Sequence, residues 1–258
     1  MLLRDGASSA LARVMANGSS KPGPSICAGC PVLCRAVWSV LNEEQLAFMS
    51  GGTKSRNYRR GETVYAVGDA NNGVYCISEG SLGVRKMDAE GNWIMLQLAY
   101  PGQALGYRSF LRGGRHRTSA EALEPSAVCQ IKADRIAKLL EKDPTLGLQF
   151  LQRASHELEA IQNALMQNLA LTNRQYFVHV LMVLLKHHGS ENADGSFSMQ
   201  LPLSRRDLAS MVGTRQETLS RIIKKLEADG LASFSGRRVH IADVDALFDE
   251  ISAYFPAL

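Results

Sequence analysis

The spacing of apolar residues changes character along this chain. From Asn57 to Lys132, short apolar runs alternate with glycines, as in GVYCISEG and NWIMLQLAYPG. Many short strands separated by turn residues at regular intervals are typical of a β-barrel or β-sandwich. We therefore predict a small β domain in this region, with DAEGNW at the tip of a hairpin.

After Ala133 the periodicity becomes helical. Asp143-Pro144 ends a short helix, and the following run contains no proline as far as Asn168. Its apolar residues recur at steps of four and three, which is typical of a coiled-coil seam. We predict a dimerisation helix over residues 143–172, although a core helix packed on its own domain is an alternative. The predicted interface residues are Phe150, Ala154, Leu158, Ile161 and Leu165.

The segment LSRRDLASMVGTRQETLSRIIKKLEADGL predicts two helices joined by a tight turn. Ser204 and Thr214 can cap the two helices, Gly213 supplies the turn, and Gly230 can end the second helix. This arrangement is typical of a helix-turn-helix. The later ASFSGRRVHI predicts a hairpin wing with its tip at residues 236–238, and we assign residues 173–258 to this domain.

Charge in this domain is clustered, although the whole chain carries only +4. Basic residues outnumber acidic ones between Arg205 and His240, which favours a phosphate backbone over a merely solvated face. Glu217, Ser220 and Arg221 share one helix face, and their side-chain types can read cytosine and guanine edges. The predicted DNA-binding residues are Thr214, Arg215, Gln216, Glu217, Ser220, Arg221 and Lys224, with Arg206 and Arg237 beside them.

The start of the chain shows no continuous apolar segment of the kind found in signal peptides, so we interpret residues 1–26 as a flexible leader. The longest apolar run, near Val180, is too short to span a bilayer. We expect a cytoplasmic protein without a membrane partner. In that reducing compartment, cysteines favour metal or redox chemistry over structural disulfides.

Three cysteines, Cys27, Cys30 and Cys34, fall within ICAGCPVLC. They are compatible with an iron–sulfur cluster, a zinc site, a thiol redox switch or a plain helical stripe. Cys76, inside a predicted strand, is interpreted as a small buried hydrophobe.

From Cys27 onward the chain resembles the CRP/FNR family of bacterial transcription regulators. ETLSR resembles the E-x-x-S-R motif of the FNR branch, and Gln216 replaces the first arginine of the cyclic-AMP branch. The resemblance implies an α+β fold with an N-terminal β-roll (a cyclic-nucleotide-binding-like jelly roll), a long dimerisation helix and a C-terminal winged helix-turn-helix. It also implies a non-enzymatic homodimer that binds palindromic double-stranded DNA with TTGAT-type half-sites and acts with RNA polymerase.

The resemblance extends to the cysteines. AVCQIKADRIAKLLEKDP resembles the segment that carries the distant cluster ligand in FNR-type regulators, so Cys27, Cys30, Cys34 and Cys129 are the implied ligands of an oxygen-labile [4Fe–4S] cluster. Residues 27–142 would then form the cluster segment and sensor domain of an oxygen-responsive regulator of anaerobic or microaerobic metabolism. The last cysteine gap is shorter than in the best-known FNR pattern.

The region that binds nucleotide in cyclic-AMP receptors departs from their pattern. Tyr107 stands where those receptors carry a glutamate for the ribose, although Arg117 keeps a phosphate-binding residue type. A ribose site needs an acceptor for its hydroxyl hydrogens, so we expect no cyclic nucleotide. A regulator of the same fold that senses a small molecule, haem or thiol redox state is the main alternative. An iron–sulfur electron carrier or enzyme is disfavoured because no nucleotide-binding glycine motif or catalytic constellation stands out.

Overall fold

A computed structural model describes residue 30 and residues 37–254 of the chain. Its N-terminal half contains eight strands in two antiparallel sheets of order β1-β8-β3-β6 and β2-β7-β4-β5. The strands are β1 (Thr53–Tyr58), β2 (Thr63–Tyr65), β3 (Gly73–Glu79), β4 (Leu82–Met87), β5 (Trp93–Ala99), β6 (Ala104–Leu105), β7 (Ser119–Ala122) and β8 (Ser126–Lys132). The predicted β-roll is confirmed.

The inner faces of the two sheets form one apolar core, which includes Ile77, Leu82 and Val128. The β4–β5 hairpin turns at Asp88, whose carboxylate accepts hydrogen bonds from the backbone N–H groups of Glu90 and Asn92. Such Asx-type bonds replace ladder bonds at a hairpin tip, so the predicted DAEGNW turn is confirmed.

Helices cover the outside of the first sheet. They are a 3-10 turn at Val37–Val40, α1 (Glu43–Ser50), α2 (Tyr107–Arg112), α3 (Ala133–Lys142) and the first turns of α4 (Pro144–Ala170). Asp143 caps α4 by accepting from the Thr145 N–H, and Pro144 occupies its first turn, where no N–H partner is lost. The buried indole of Trp38 packs edge-on against Phe150, with ring centroids 5.5 Å apart.

The apolar residues of α4 are divided between the core of the N-terminal domain and the exposed surface of the helix. Phe150 is 1% exposed, and Ala154 packs against the same core. The prediction that Phe150 lies in a dimer interface is wrong, because its own domain already covers the ring. Farther along the helix, Leu158, Ile161 and Leu165 are each more than half exposed.

The C-terminal half is a winged helix-turn-helix with a sheet of order β11-β12-β10-β9. Its elements are α5 (Asn173–His188), β9 (Gly189–Glu191), β10 (Phe197–Gln200), α6 (Arg205–Val212), α7 (Gln216–Ala228), β11 (Ser233–Ser235), β12 (Arg238–Ile241) and α8 (Val244–Asp249), followed by a 3-10 turn at Ser252–Tyr254. Leu208, Leu219 and Leu226 anchor α6 and α7 in the core of this domain.

Local capping explains where the two helices begin and end. Ser204 and Asp207 form a capping box at α6, and Gly213 ends that helix with φ +69°, a left-handed conformation that glycine adopts without a Cβ clash. Gly230 follows α7 in the predicted C′ position. The predicted Thr214 cap is wrong, because α7 begins one residue later and Arg215 occupies the N-cap position without a side-chain hydrogen bond.

The two domains are in direct contact through α6. Arg85 on β4 forms an ion pair with Asp207 on α6 at 3.2 Å and a second with Glu121 on β7 at 3.5 Å. The backbone N–H of Met95 donates to Ser210 Oγ at 2.8 Å, and the Met95 side chain joins the C-terminal core. The helix-turn-helix domain is therefore docked on the outer face of the second sheet.

Among the described residues, none of the helices combines the length and the apolar character that a membrane span needs.

Candidate functional site: DNA-binding surface and sensor region

The second helix of the helix-turn-helix presents a polar face to solvent. Its inner face is held by Leu219, Ile223 and Leu226, which are buried. All the other predicted contact residues on this helix and at its N-cap are exposed: Arg215, Gln216, Glu217, Ser220, Arg221 and Lys224. Thr214 is half-buried. Glu217, Ser220 and Arg221 lie in the first half of the helix, which is the half that a recognition helix directs at base edges.

The electrostatics of this surface are more positive than the residue count suggests. Three of the four nearby acidic side chains are engaged within the protein: Asp207 with Arg85, Asp229 with Arg174, and Glu227 with the Phe234 backbone N–H. Because these contacts neutralise or occupy the carboxylates, the exposed arginines and lysines dominate the field that DNA phosphates would meet.

The flanking arginines divide into two groups. Arg206 is exposed beside the recognition helix, and Arg237 is half-buried at the wing tip. Arg205, by contrast, packs its guanidinium over the Phe234 ring at 5.2 Å, and burial lowers its pKa. Arg205 thus supports the wing, whereas Arg206 and Arg237 line a cavity of about 240 Å³ beside Arg85 and Glu121 of the N-terminal domain. Their contact with a phosphate backbone stays a prediction.

The exposed part of α4 forms an apolar stripe that no part of the described chain covers. It consists of Leu158, Ile161, Leu165 and Leu169, which are between 56% and 77% exposed. An uninterrupted apolar stripe of this kind on a surface helix marks an interaction site.

The interior of the β-roll is filled by its own side chains. Tyr107 is 2% exposed, and its hydroxyl donates to Glu157 Oε2 on α4 at 2.8 Å. Burial, and then the bond to Glu157, raise the pKa of Tyr107, so the phenol stays protonated. The rings of Tyr65 and His116 stack on each other with centroids 4.0 Å apart. Together with Tyr107 they line a cavity of about 30 Å³. That volume accommodates water rather than a nucleotide.

A second cavity, about 650 Å³, opens on the outside of the roll. Its lining includes five basic side chains: Lys86, Arg108, Arg112, Arg115 and Arg117. Arg117, which keeps the phosphate-binding residue type of cyclic-AMP receptors, therefore lines this open cavity and not the filled interior.

Three of the five cysteines, Cys30, Cys76 and Cys129, lie in the described part of the chain. Cys27 and Cys34 lie outside the described residues, whereas Cys30 and Cys129 are half-buried reduced thiols. Cys129 lies on β8 directly opposite Cys76 on β3. Cys76 is half-buried rather than fully buried, and its Sγ accepts a hydrogen bond from the Trp38 indole at 3.0 Å. Cys76 thus lies on a strand and packs against the apolar core as interpreted from the sequence, but it is only partly buried.

The surroundings of Cys129 bear on whether cysteine thiolates could hold a metal ion or cluster there. Trp38 follows Cys34 by four residues in the sequence, and its indole contacts Cys76 on the strand that pairs with the one carrying Cys129. The described residues alone contain no group of three or more metal-binding side chains. With the N-terminal cysteines added, the donor set consists of thiols, which fits iron–sulfur or zinc chemistry.

Sequence reasoning missed several of these relationships. Nothing in the spacing of Glu157 along α4 points to Tyr107, which lies 50 residues earlier in the chain. Arg85 and Asp207 likewise belong to no sequence motif that would predict their ion pair. The cross-strand position of Cys76 depends on the register of β3 and β8, which the apolar pattern does not specify.

Comparison with known proteins follows the same division of the chain. Residues 55–143 match the cyclic nucleotide-binding domain family, and residues 178–249 match the Crp-like helix-turn-helix domain family. The chain is 25% identical to transcriptional activator protein FnrL of Cereibacter sphaeroides, over 87% of this chain and 91% of that protein. It is 23% identical to the fumarate and nitrate reduction regulatory protein of Salmonella typhimurium, over 86% of this chain and 88% of that protein. The structure of FixK2 from Bradyrhizobium japonicum has the same fold, with a TM-score of 0.65, 24% identity and coverage of 76% and 96%.

A β-roll, a long helix and a winged helix-turn-helix with an exposed basic recognition helix together define a DNA-binding transcription regulator, not an enzyme. The chain belongs to the CRP/FNR family of transcription regulators.

Proposed function

We propose that this protein is an oxygen-responsive transcription regulator whose DNA-binding dimer depends on a [4Fe–4S] cluster. The observation that carries the proposal is the contact of Trp38, which follows Cys34 by four residues in the sequence, with Cys76, which lies directly opposite Cys129. The similarity to the FnrL and fumarate and nitrate reduction regulators supports the same conclusion. Genes for anaerobic or microaerobic metabolism are the proposed targets.

The proposed cluster ligands are the thiolates of Cys27, Cys30, Cys34 and Cys129. When bound, a [4Fe–4S] cluster supplies oxygen-labile iron–thiolate bonds. Cys129 belongs to strand β8, whereas the other three cysteines belong to the segment that precedes Trp38 in the sequence. A cluster that holds these four residues together would therefore join the N-terminal segment to the β-roll. The junction would lie near the N-terminal end of α4, where Phe150 packs on Trp38.

The exposed stripe of α4 is the proposed dimer interface. Leu158, Ile161 and Leu165 would pair across a two-fold axis, with Ala154 at the edge of the roll. A symmetric pair of recognition helices then meets two half-sites about 34 Å apart. Phe150 belongs to α4, the helix that carries this interface, so a change at its contact with Trp38 would act on that helix. Loss of the cluster would weaken dimerisation by this route.

On DNA, Glu217, Ser220 and Arg221 are the proposed base-contacting residues for TTGAT-type half-sites. Arg215, Gln216 and Thr214 begin the recognition helix, while Arg206, Lys224 and Arg237 would contact phosphates. RNA polymerase is the proposed protein partner at the promoters. Cyclic nucleotides are excluded from the proposal because Tyr107 and the Tyr65–His116 stack fill the interior site.

The decisive experiment is anaerobic purification of the full-length protein, followed by iron and sulfide analysis and mass measurement before and after air exposure. We expect about four iron and four sulfide per chain, a dimer without oxygen, and loss of both cluster and dimer in air. Zinc with no visible absorbance would contradict the cluster while leaving the DNA-binding assignment intact.

A second candidate function is control by an anionic effector, and the five basic side chains of the outer cavity favour it. Cluster-independent DNA binding that requires an added anion would support this candidate. Replacement of Arg112 and Arg115 by alanine would then abolish the effector response. The cluster mechanism instead predicts normal oxygen-dependent DNA binding for that double variant.

A further inference from the structure

Cys76 and Cys129 occupy directly opposite positions on the neighbouring antiparallel strands β3 and β8. Directly opposite residues share one face of a sheet, with Cα atoms about 4.5–5.5 Å apart. This spacing falls inside the Cα–Cα range of about 4.4–6.8 Å that disulfides span. A bond between the two sulfurs would therefore require side-chain rotation without movement of the strands.

The two cysteines, both half-buried, have different neighbours on this face of the sheet. Cys76 Sγ accepts the indole N–H of Trp38, a side chain that is only 1% exposed and held by Phe150. On the other side of Cys129, the next residue across the sheet is Ser55, which is exposed on the edge strand β1. On this face of the sheet, Cys76 therefore adjoins the buried Trp38 side chain, whereas Cys129 adjoins the exposed Ser55.

We propose that Cys76 and Cys129 form a redox pair that closes to an intramolecular disulfide in the presence of a peroxide. Cys129 Sγ attacks a peroxide oxygen, the O–O bond breaks, and one water leaves with formation of a sulfenic acid. Cys76 Sγ then attacks that sulfur, the S–O bond breaks, and a second water leaves. Two thiols and one hydrogen peroxide thereby give one disulfide and two water molecules.

The pair has a role that the cluster proposal alone does not provide. A disulfide between these residues occupies Cys129, so an oxidised chain could not offer this thiolate to a metal. The two sensing reactions share Cys129 but differ in chemistry, because disulfide formation needs no metal and involves none of the N-terminal cysteines.

Trypsin cleavage sites make the pair directly measurable. Cys76 falls in the peptide of residues 61–85, Cys129 in that of residues 118–132, and the three N-terminal cysteines fall together in that of residues 14–35. Metal-free, full-length protein is treated with equimolar hydrogen peroxide, blocked with N-ethylmaleimide, digested without reductant and examined by mass spectrometry. We expect peptide 61–85 to be linked to peptide 118–132, and peptide 14–35 to carry three maleimides.

The controls are single serine variants. Cys76→Ser and Cys129→Ser should each abolish the link, whereas the matched variant Cys30→Ser should retain it. The proposal is overturned if either strand cysteine is linked to peptide 14–35, or if both strand cysteines are recovered as maleimide adducts. Because the metal-free wild-type protein gives the principal result, absence of a cluster in the iron analysis leaves this test unaffected.

Discussion

The phenol of Tyr107 donates to Glu157 Oε2 at 2.8 Å, and this hydrogen bond joins the β-roll to the long helix. Glu157 is also held by Arg153, whose Nε lies 3.1 Å from Oε1. The roll and the helix are thus connected by the protein's own side chains.

Tyr107→Phe should lower the free energy of unfolding by about 1–2 kcal/mol, because it removes a hydrogen bond to a charged acceptor that keeps Arg153. Tyr107→Ala should cost about 3–5 kcal/mol, since it also opens a cavity. Equilibrium urea unfolding measures both changes. Tyr254→Phe, at an exposed position, is the control, and an equal effect for Tyr107→Phe would contradict the role given to the bond.

High pH should destabilise the roll through Tyr65. Burial raises the pKa of this phenol to about 12, whereas the unfolded chain releases the proton near its ordinary value of 10. Between these values the native state binds more protons, so the free energy of unfolding falls as pH rises, by about 1.4 kcal/mol per pH unit. Tyr65→Phe should remove that part of the slope between pH 10 and 12 in denaturant titrations.

Arg85→Ala should loosen the docking of the DNA-binding domain. The substitution leaves Glu121 and Asp207 facing each other without the guanidinium that lies between them, which should cost about 1–3 kcal/mol. Burial already raises the pKa of Glu121, so the loss should be smaller at pH 4–5, where this carboxyl takes up a proton more readily. Limited proteolysis and calorimetry at both pH values, with exposed Lys86→Ala as control, measure the effect.

Ile161→Glu should give a monomer with weak operator binding, because it places a charge in the middle of the exposed stripe. Asn163→Glu, on another side of the same helix, should leave mass and affinity unchanged. Sedimentation under anaerobic conditions and DNA titration provide the two measurements. A dimeric Ile161→Glu protein would show that the stripe is not the interface.

Arg221→Ala should weaken specific DNA binding by about 1–3 kcal/mol and relax discrimination at one guanine. Arg237→Ala should weaken binding to all sequences similarly and reduce the salt dependence. Titrations with specific and random duplexes at several salt concentrations separate the two effects. Equal losses on both duplexes for Arg221→Ala would identify a phosphate contact instead.

Local signals predicted much of this fold because their physical causes are local. The Ser204 capping box, the Gly213 turn and the Asp88 hairpin each depend on residues within four positions of one another. The exposed face of the recognition helix followed from helical periodicity for the same reason, with the start of α7 misplaced by one residue.

Long-range relationships could not be predicted in this way. The apolar stripe of α4 is continuous in sequence, but periodicity does not reveal that the roll covers Phe150 and leaves Ile161 exposed. Strand register decides that Cys76 lies opposite Cys129, and it is fixed by packing of the complete sheet.

Trp38 also gives the protein an intrinsic optical reporter. The chain has two tryptophans, of which Trp38 is 1% exposed against a sulfur, whereas Trp93 is 36% exposed on the hairpin. Their emission should therefore differ in wavelength, with the buried indole at the blue end. Iodide should quench Trp93 selectively, so that changes at Cys76 can be followed through Trp38 fluorescence without an added dye.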